Sequence, residues 1–154
     1  MNPYERAVAR LGSATWFAWF GRHVLTPLDV ALRRTRFAPS GFGTNFPLCY
    51  VTMIGRQSGK PRTVPLFFVE QDDGDGIVVV ATNFGGDRDP AWAGNLDANP
   101  EVTVERDGFV QSATARRATE AEFSRYWKRI VAMLWIYEGY RNRTDRGIKM
   151  YVIE

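Results

Sequence analysis

Apolar and polar residues alternate in short blocks over the later part of the chain, a period that suits strands better than helices. Residues 49–54 and 63–69 are rich in β-branched and aromatic types and predict two strands. Between them Gly55, Gly59 and Pro61 permit or impose turn dihedrals. A cluster of Asp72, Asp73, Gly74, Asp75 and Gly76 predicts a second hairpin turn. Residues 77–81 form a continuous apolar run, the pattern of a strand buried on both faces. A hairpin is expected over 101–106 and 109–116, turning at Asp107 and Gly108, and 148–153 closes the chain as a strand. Such a mostly antiparallel sheet can remove its exposed edges by curling into a small barrel.

Helical periodicity occupies the remaining segments. Residues 3–20 open with Asn2 as N-cap and Pro3 at the first position, and Gly12 and Ser13 weaken their middle. Residues 22–34 follow, with Pro27 near the start of the helix or kinking it, and 37–46 read as a loop. Residues 90–98 predict a short helix capped by Asp89. Residues 119–137 predict a longer one, opened by the capping box of Thr119 and Glu122, with Phe123, Tyr126, Trp127, Ile130 and Leu134 as its apolar stripe. The organisation expected is one domain: a helical arm over 1–36 and a barrel over 37–154.

Composition narrows the function classes. The net charge of +3 is too small to point to nucleic acid, and the arginines are spread along the whole chain. With one histidine, His23, and one cysteine, Cys49, no His- or Cys-rich metal site is expected. Cys49, inside a strand pattern, reads as a buried thiol in a reducing compartment. No apolar run approaches membrane-spanning length and no secretory signal is visible, so a cytoplasmic location is expected. The arm combines Trp16, Phe17, Trp19 and Phe20 with Arg22, Arg33, Arg34 and Arg36. It suits either a lid packed on the domain or a helix lying on the inner face of an anionic membrane.

The first turn carries the candidate chemistry. Arg56, Lys60 and Arg62 surround the hydroxyl of Ser58 and the backbone of two glycines, a combination that makes an anion cradle. The plain alternative is a solvated hairpin tip.

Three motifs in order resemble the deazaflavin-dependent nitroreductase family. The first is Gly55-Arg56-x-Ser58-Gly59-x-Pro61-Arg62 with Pro65-Leu66. The second is Asn83-x-Gly85-Gly86-x-x-x-Pro90-x-Trp92-x-x-Asn95-Leu96-x-Ala98-Asn99-Pro100-x-Val102. The third is Tyr137-x-x-Tyr140-x-x-x-Thr144-Asp145-Arg146. The resemblance implies a split β-barrel, similar to the flavin-binding pyridoxamine-phosphate-oxidase type, with the helices packed on it. It implies an actinobacterial oxidoreductase that passes hydride from reduced coenzyme F-420, rather than FMN, to quinones, enones or activated nitro compounds. F-420 is anionic, with a phosphodiester and a polyglutamate tail. Arg56, Lys60 and Arg62 would match its charge, and Gln57 and Ser58 would add hydrogen bonds. Pro65, Ala81, Thr82 and Asn83 would flank the ring, Gly85 and Gly86 approach it, Trp92 wall it and Asn95 bond to it.

Phe84, Leu134, Tyr137 and Tyr140 would face the acceptor, with Tyr137 donating a proton or hydrogen bond to the oxygen that becomes negative. Phe84 and Leu134 depart from relatives in the apolar direction, which weakens the case for bicyclic nitroimidazoles as acceptors. That apolar lip also keeps open a non-catalytic carrier on the same barrel, holding a lipid or fatty acid, haem or FMN. The oligomeric state is undecided by these residues.

Overall fold

The computed structural model describes residues 26–32 and 46–154. The expected helix over 3–20, most of the second one and the loop over 37–45 lie outside these residues, as do the aromatic and basic side chains of the arm. Among the described residues, seven strands form one antiparallel sheet. They are β1 (Leu48–Ile54), β2 (Pro61–Phe67), β3 (Val69–Glu70), β4 (Ile77–Val80), β5 (Glu101–Arg106), β6 (Phe109–Arg117) and β7 (Met150–Ile153). Their spatial order is β2-β1-β5-β6-β7-β4-β3. The strand expected over 63–69 divides at Phe68, whose N–H leaves the ladder and donates to the Pro47 carbonyl at 3.2 Å. β2 is an edge strand, and so it tolerates Pro61 and Pro65, which have no N–H to give.

β6 is the corner. Its residues from Phe109 to Thr114 pair with β5, and Ala115, Arg116 and Arg117 pair with β7. One strand shared in this way curls the sheet into a half-barrel of the split type, as expected. Cys49, Val51, Met53, Ile77, Val79, Val104, Tyr151 and Ile153 fill the concave side. Val78, Val80, Met150 and Val152 project to the other side. There Tyr126, Trp127 and Ile130 of helix α3 (Glu120–Met133) cover them. Two covered faces account for the unbroken apolar runs of β4 and β7, since both parities of the strand are buried. Cys49 is fully buried, and desolvation pushes its thiol up to about 12, so it stays an unreactive core residue.

Three more helices complete the described fold: α1 (Thr26–Leu32), which lies against β2, α2 (Ala91–Ala98) and α4 (Ile136–Arg141). The capping box at α3 is present. Thr119 Oγ1 accepts from the Glu122 N–H, and the Thr119 N–H donates to Glu122 Oε2 at 2.8 Å. Two expectations need correction. The helix expected over 119–137 stops at Met133, because Leu134 takes non-helical dihedrals (φ −120°, ψ 67°) and the chain restarts as α4. Asp89 does not cap α2. Its carboxylate is held by Arg146 at 2.8 Å and Lys149 at 2.7 Å, and α2 begins after Pro90 with no side-chain cap.

The ladders fix which loops share an end of the barrel. β1 rises to the turn after Ile54, and each neighbour through β5, β6, β7 and β4 reverses. The β1–β2 turn, the exit of β4 at Ala81, the C-terminal end of α2 and the entry to β7 therefore gather at one end.

Candidate functional site

The β1–β2 turn is built by its own backbone. The Gly55 N–H donates to the Lys60 carbonyl at 2.9 Å, the Gly59 N–H to the Gly55 carbonyl at 2.8 Å, and Gly59 takes φ +64°. The Lys60 N–H reaches Ser58 Oγ at 3.3 Å, a bond that leaves the hydroxyl proton free to donate. Arg56, Gln57, Lys60 and Arg62 are exposed, and no carboxylate among the described residues pairs with the three cations. The turn is tied to α2, because the Arg56 N–H donates to Asn95 Oδ1 at 3.1 Å. A Cβ on Gly94 would come within 2.5 Å of Arg56 Nη1. The guanidinium therefore rests on a bare stretch of helix, and Asn95, buried at 9 % exposure, serves as a strut for the turn.

The second cluster follows β4. Ala81 and Thr82 are buried, and the chain then takes left-handed dihedrals at Asn83 (φ 45°), Phe84 (φ 56°) and Gly85 (φ 73°). For a non-glycine residue that conformation costs about 1 kcal/mol or more, so the surroundings must impose it. Arg146, whose side chain is 14 % exposed, bonds to backbone carbonyls on both sides of this run. Its Nε donates to the Gly86 carbonyl at 2.9 Å, Nη2 to the Ala81 and Thr82 carbonyls at 3.0 and 2.8 Å, and Nη1 to Asp89 at 2.8 Å. The Asn83 amide donates to the Arg88 carbonyl at 2.8 Å. Gly85 is bare because α4 lies on it: an added Cβ would sit 2.9 Å from the Tyr140 carbonyl.

Phe84 is thereby set edge-on to Tyr140, with ring centroids 5.9 Å apart, and Tyr140 stands 5.7 Å from Tyr137. Burial pushes both hydroxyls up, that of Tyr140 to about 12, where the Arg143 charge acts in the opposite direction. Both remain protonated donors near neutral pH. Leu134, expected on the acceptor side, is buried at 5 % exposure, and its neighbour Trp135 is the exposed one.

Trp92 packs half-buried on the core, 5.7 Å from the Tyr151 ring, and Pro65 sits in β2 opposite Tyr50. The Tyr151 hydroxyl donates within a polar knot at Asp97 (2.9 Å) and the Ala93 carbonyl (3.0 Å), which fastens α2 to β7. A cleft of about 400 Å3 opens at the other end of the barrel, beside Leu48, Phe68, Asp107 and Met133, and none of the expected site residues lines it. The structure thus brings the expected residues into two groups at one end: the cationic turn on α2, and the aromatic pair Phe84 and Tyr140 with Tyr137. Asp97 and Tyr151, which help hold these groups, have no local pattern that marks them, while Asp89 is expected only as a helix cap and Arg146 only as the end of the third motif. No group of His, Cys, Asp or Glu among the described residues suits a metal ion, and no helix there is long and apolar enough to cross a membrane.

The split half-barrel with this loop and turn defines a reductase class. The F420H(2)-dependent quinone reductase model matches residues 30–154, and the chain belongs to that family of oxidoreductases, whose cofactor is reduced F-420. Two Mycobacterium tuberculosis H37Rv proteins are similar. One, a putative F420H(2)-dependent quinone reductase, is 27 % identical over 114 residues, covering 74 % of this chain and 94 % of its own. The other, an F420H(2)-dependent quinone reductase, is 31 % identical over 110 residues, covering 70 % and 72 %. Among solved structures, the F420-H2 dependent reductase FDR-A superposes with a TM-score of 0.63 at 35 % identity, over 70 % of this chain and 94 % of its own. A domain-swapped dimer superposes with a TM-score of 0.65 at 31 % identity, over 84 % and 100 %. The family makes the chain an enzyme and leaves the carrier alternative without support.

Proposed function

We propose that the barrel end carrying both clusters is where this enzyme binds F-420 and reduces a quinone. The observation that carries the assignment is the β1–β2 turn, where three cations with no carboxylate partner among the described residues stand on a segment locked to α2. Cations normally collect counter-charges, and Arg116, Arg117, Arg125, Arg129 and Arg146 do so here. A turn without such counter-charges among the described residues suits a polyanion. Arg56, Lys60 and Arg62 hold the phosphodiester and tail carboxylates, with Gln57 adding a donor. Ala81, Thr82, Asn83 and Gly86, with Pro65 and Trp92, bound the ring side.

F-420, when bound, supplies hydride to the acceptor carbonyl. The protein's part is to orient the two partners and to meet the charge that develops on oxygen. Tyr137 is the donor assigned to that oxygen: burial keeps its proton on, and it stands beside Tyr140. Phe84 and Tyr140 give the acceptor an apolar, aromatic surround, which suits a quinone ring.

Fluorescence titration of the purified protein with F-420 tests the assignment, followed by the rate of quinone reduction. Saturable binding at micromolar concentrations is expected. Absence of binding there would remove the cradle and the ring side together.

A further inference from the structure

Arg146 ends a motif to which the reading above gives no chemistry, yet it has the densest set of bonds at this end of the barrel. Its three guanidinium nitrogens meet four acceptors on the β4 exit, the glycine loop and the segment before α2. The acceptors lie 57 to 65 residues away in sequence. Three are backbone carbonyls, so the contact does not consist of charge pairing alone. Within the span that it encloses, Asn83, Phe84 and Gly85 all take left-handed dihedrals. A strained run needs surroundings that over-determine it. The carbonyls on either side of this run, at Thr82 and Gly86, are both fixed by the one guanidinium. The Tyr140 backbone then closes on Gly85 from α4.

We propose that Arg146 is a positioning residue of the reductase, clamping the turn at Asn83, Phe84 and Gly85 so that Phe84 and Tyr140 hold the ring side of the site. The consequence is a division of labour, which rests on the reading of the site given above. The cationic turn governs how tightly the cofactor binds. The clamp governs how well ring and acceptor are aligned, and so turnover. Lysine cannot replace it, because a single ammonium cannot reach diverging carbonyls and a carboxylate in one plane. Loss of Arg146 does not strand Asp89, which keeps Lys149 at 2.7 Å.

The test uses Arg146→Ala and Arg146→Lys in the full chain. In the cofactor-free proteins, amide exchange over residues 81–90 should quicken about tenfold or more while residues 54–62 keep the parent rates. F-420 affinity should fall by no more than about tenfold and by less than the turnover number, since the cationic turn keeps its own structure while only the ring side loosens. The turnover number for quinone reduction should fall about ten- to a hundredfold, the scale set by an ångström of misplacement. Arg146→Lys should not restore it. Unchanged exchange over 81–90 in both variants would overturn the clamp, as would a variant that loses affinity while keeping its turnover number. If the alanine variant does not fold, the lysine variant alone decides both readouts. Should the parent protein itself fail to bind F-420, the functional assignment falls, and the exchange data still judge the clamp.

Discussion

At the level of single residues, left-handed backbone marks the loop proposed for the ring side of the site. Gly85 combines two demands, a φ of +73° and a Tyr140 carbonyl 2.9 Å from where a Cβ would stand. Gly74 and Gly108 have similar φ, +79° and +80°, but open space around them. Gly85→Ala should therefore destabilise by about 2–4 kcal/mol, adding backbone strain to a clash that only α4 can relieve by moving. Gly74→Ala and Gly108→Ala should cost about 1 kcal/mol each, the strain alone. Urea unfolding of the three variants checks this, and equal losses would show that α4 does not press on Gly85. The glycines and the cations of the first turn are legible in sequence because a turn's chemistry is local. Asn83 and Phe84 are not. Asparagine is tolerated at positive φ without announcing it and a phenylalanine is not, and the arginine that fixes the flanking carbonyls lies 60 and 64 residues away. Asn95 has a fold partner that its type alone does not reveal, the Arg56 backbone N–H.

Elements are legible in the sequence where one face or one cap decides them. The capping box of α3, the doubly buried β4 and the Asp107–Gly108 hairpin follow from period and turn chemistry. Boundaries failed where tertiary contacts compete. α3 breaks at Leu134, whose apolar stripe would have continued, because the buried side chain and the return of α4 to the glycine loop outweigh further helix. At this scale the β1–β2 hairpin makes its own prediction. Charge-assisted contacts contribute about 1.5–3 kcal/mol each when well formed. Arg62→Ala should weaken F-420 binding by about one to two powers of ten, at about 1.4 kcal/mol per tenfold. The melting temperature should hold, since the side chain is exposed and has no carboxylate partner among the described residues, and the turnover number at saturating cofactor should hold too. Titration, melting and saturation kinetics together test it. An unfolded variant, or one with parental affinity, would return the hairpin to a structural role.

For the molecule as a whole, two adjacent arginines of β6 bind the helices to the sheet. Successive strand residues face opposite ways. Arg116 accordingly meets Glu122 at the start of α3 and Glu154 at the chain's end, all at 2.9 Å, while Arg117 grips Asp97 of α2 with two bonds of 2.8 Å. Bonding to these arginines lowers Asp97 and Glu122 to about 2 each, and Glu154 is lowered as well. Carboxylates with depressed folded pKa stabilise above their unfolded values, about 4, and lose that contribution as pH falls toward the folded ones. Stability should thus be level from neutral pH to about 5 and decline between about 5 and 2. The arginines are 41 % and 46 % exposed, so each link is screened and contributes at most about 1 kcal/mol. A double variant, Asp97→Asn with Glu122→Gln, should be less stable at neutral pH and lose less on acidification. Its curve of urea midpoint against pH should approach the parent's near pH 2. Parallel curves over the whole range would show that the acid limb belongs to other carboxylates, and that β6 does not hold α2 and α3 through these charges.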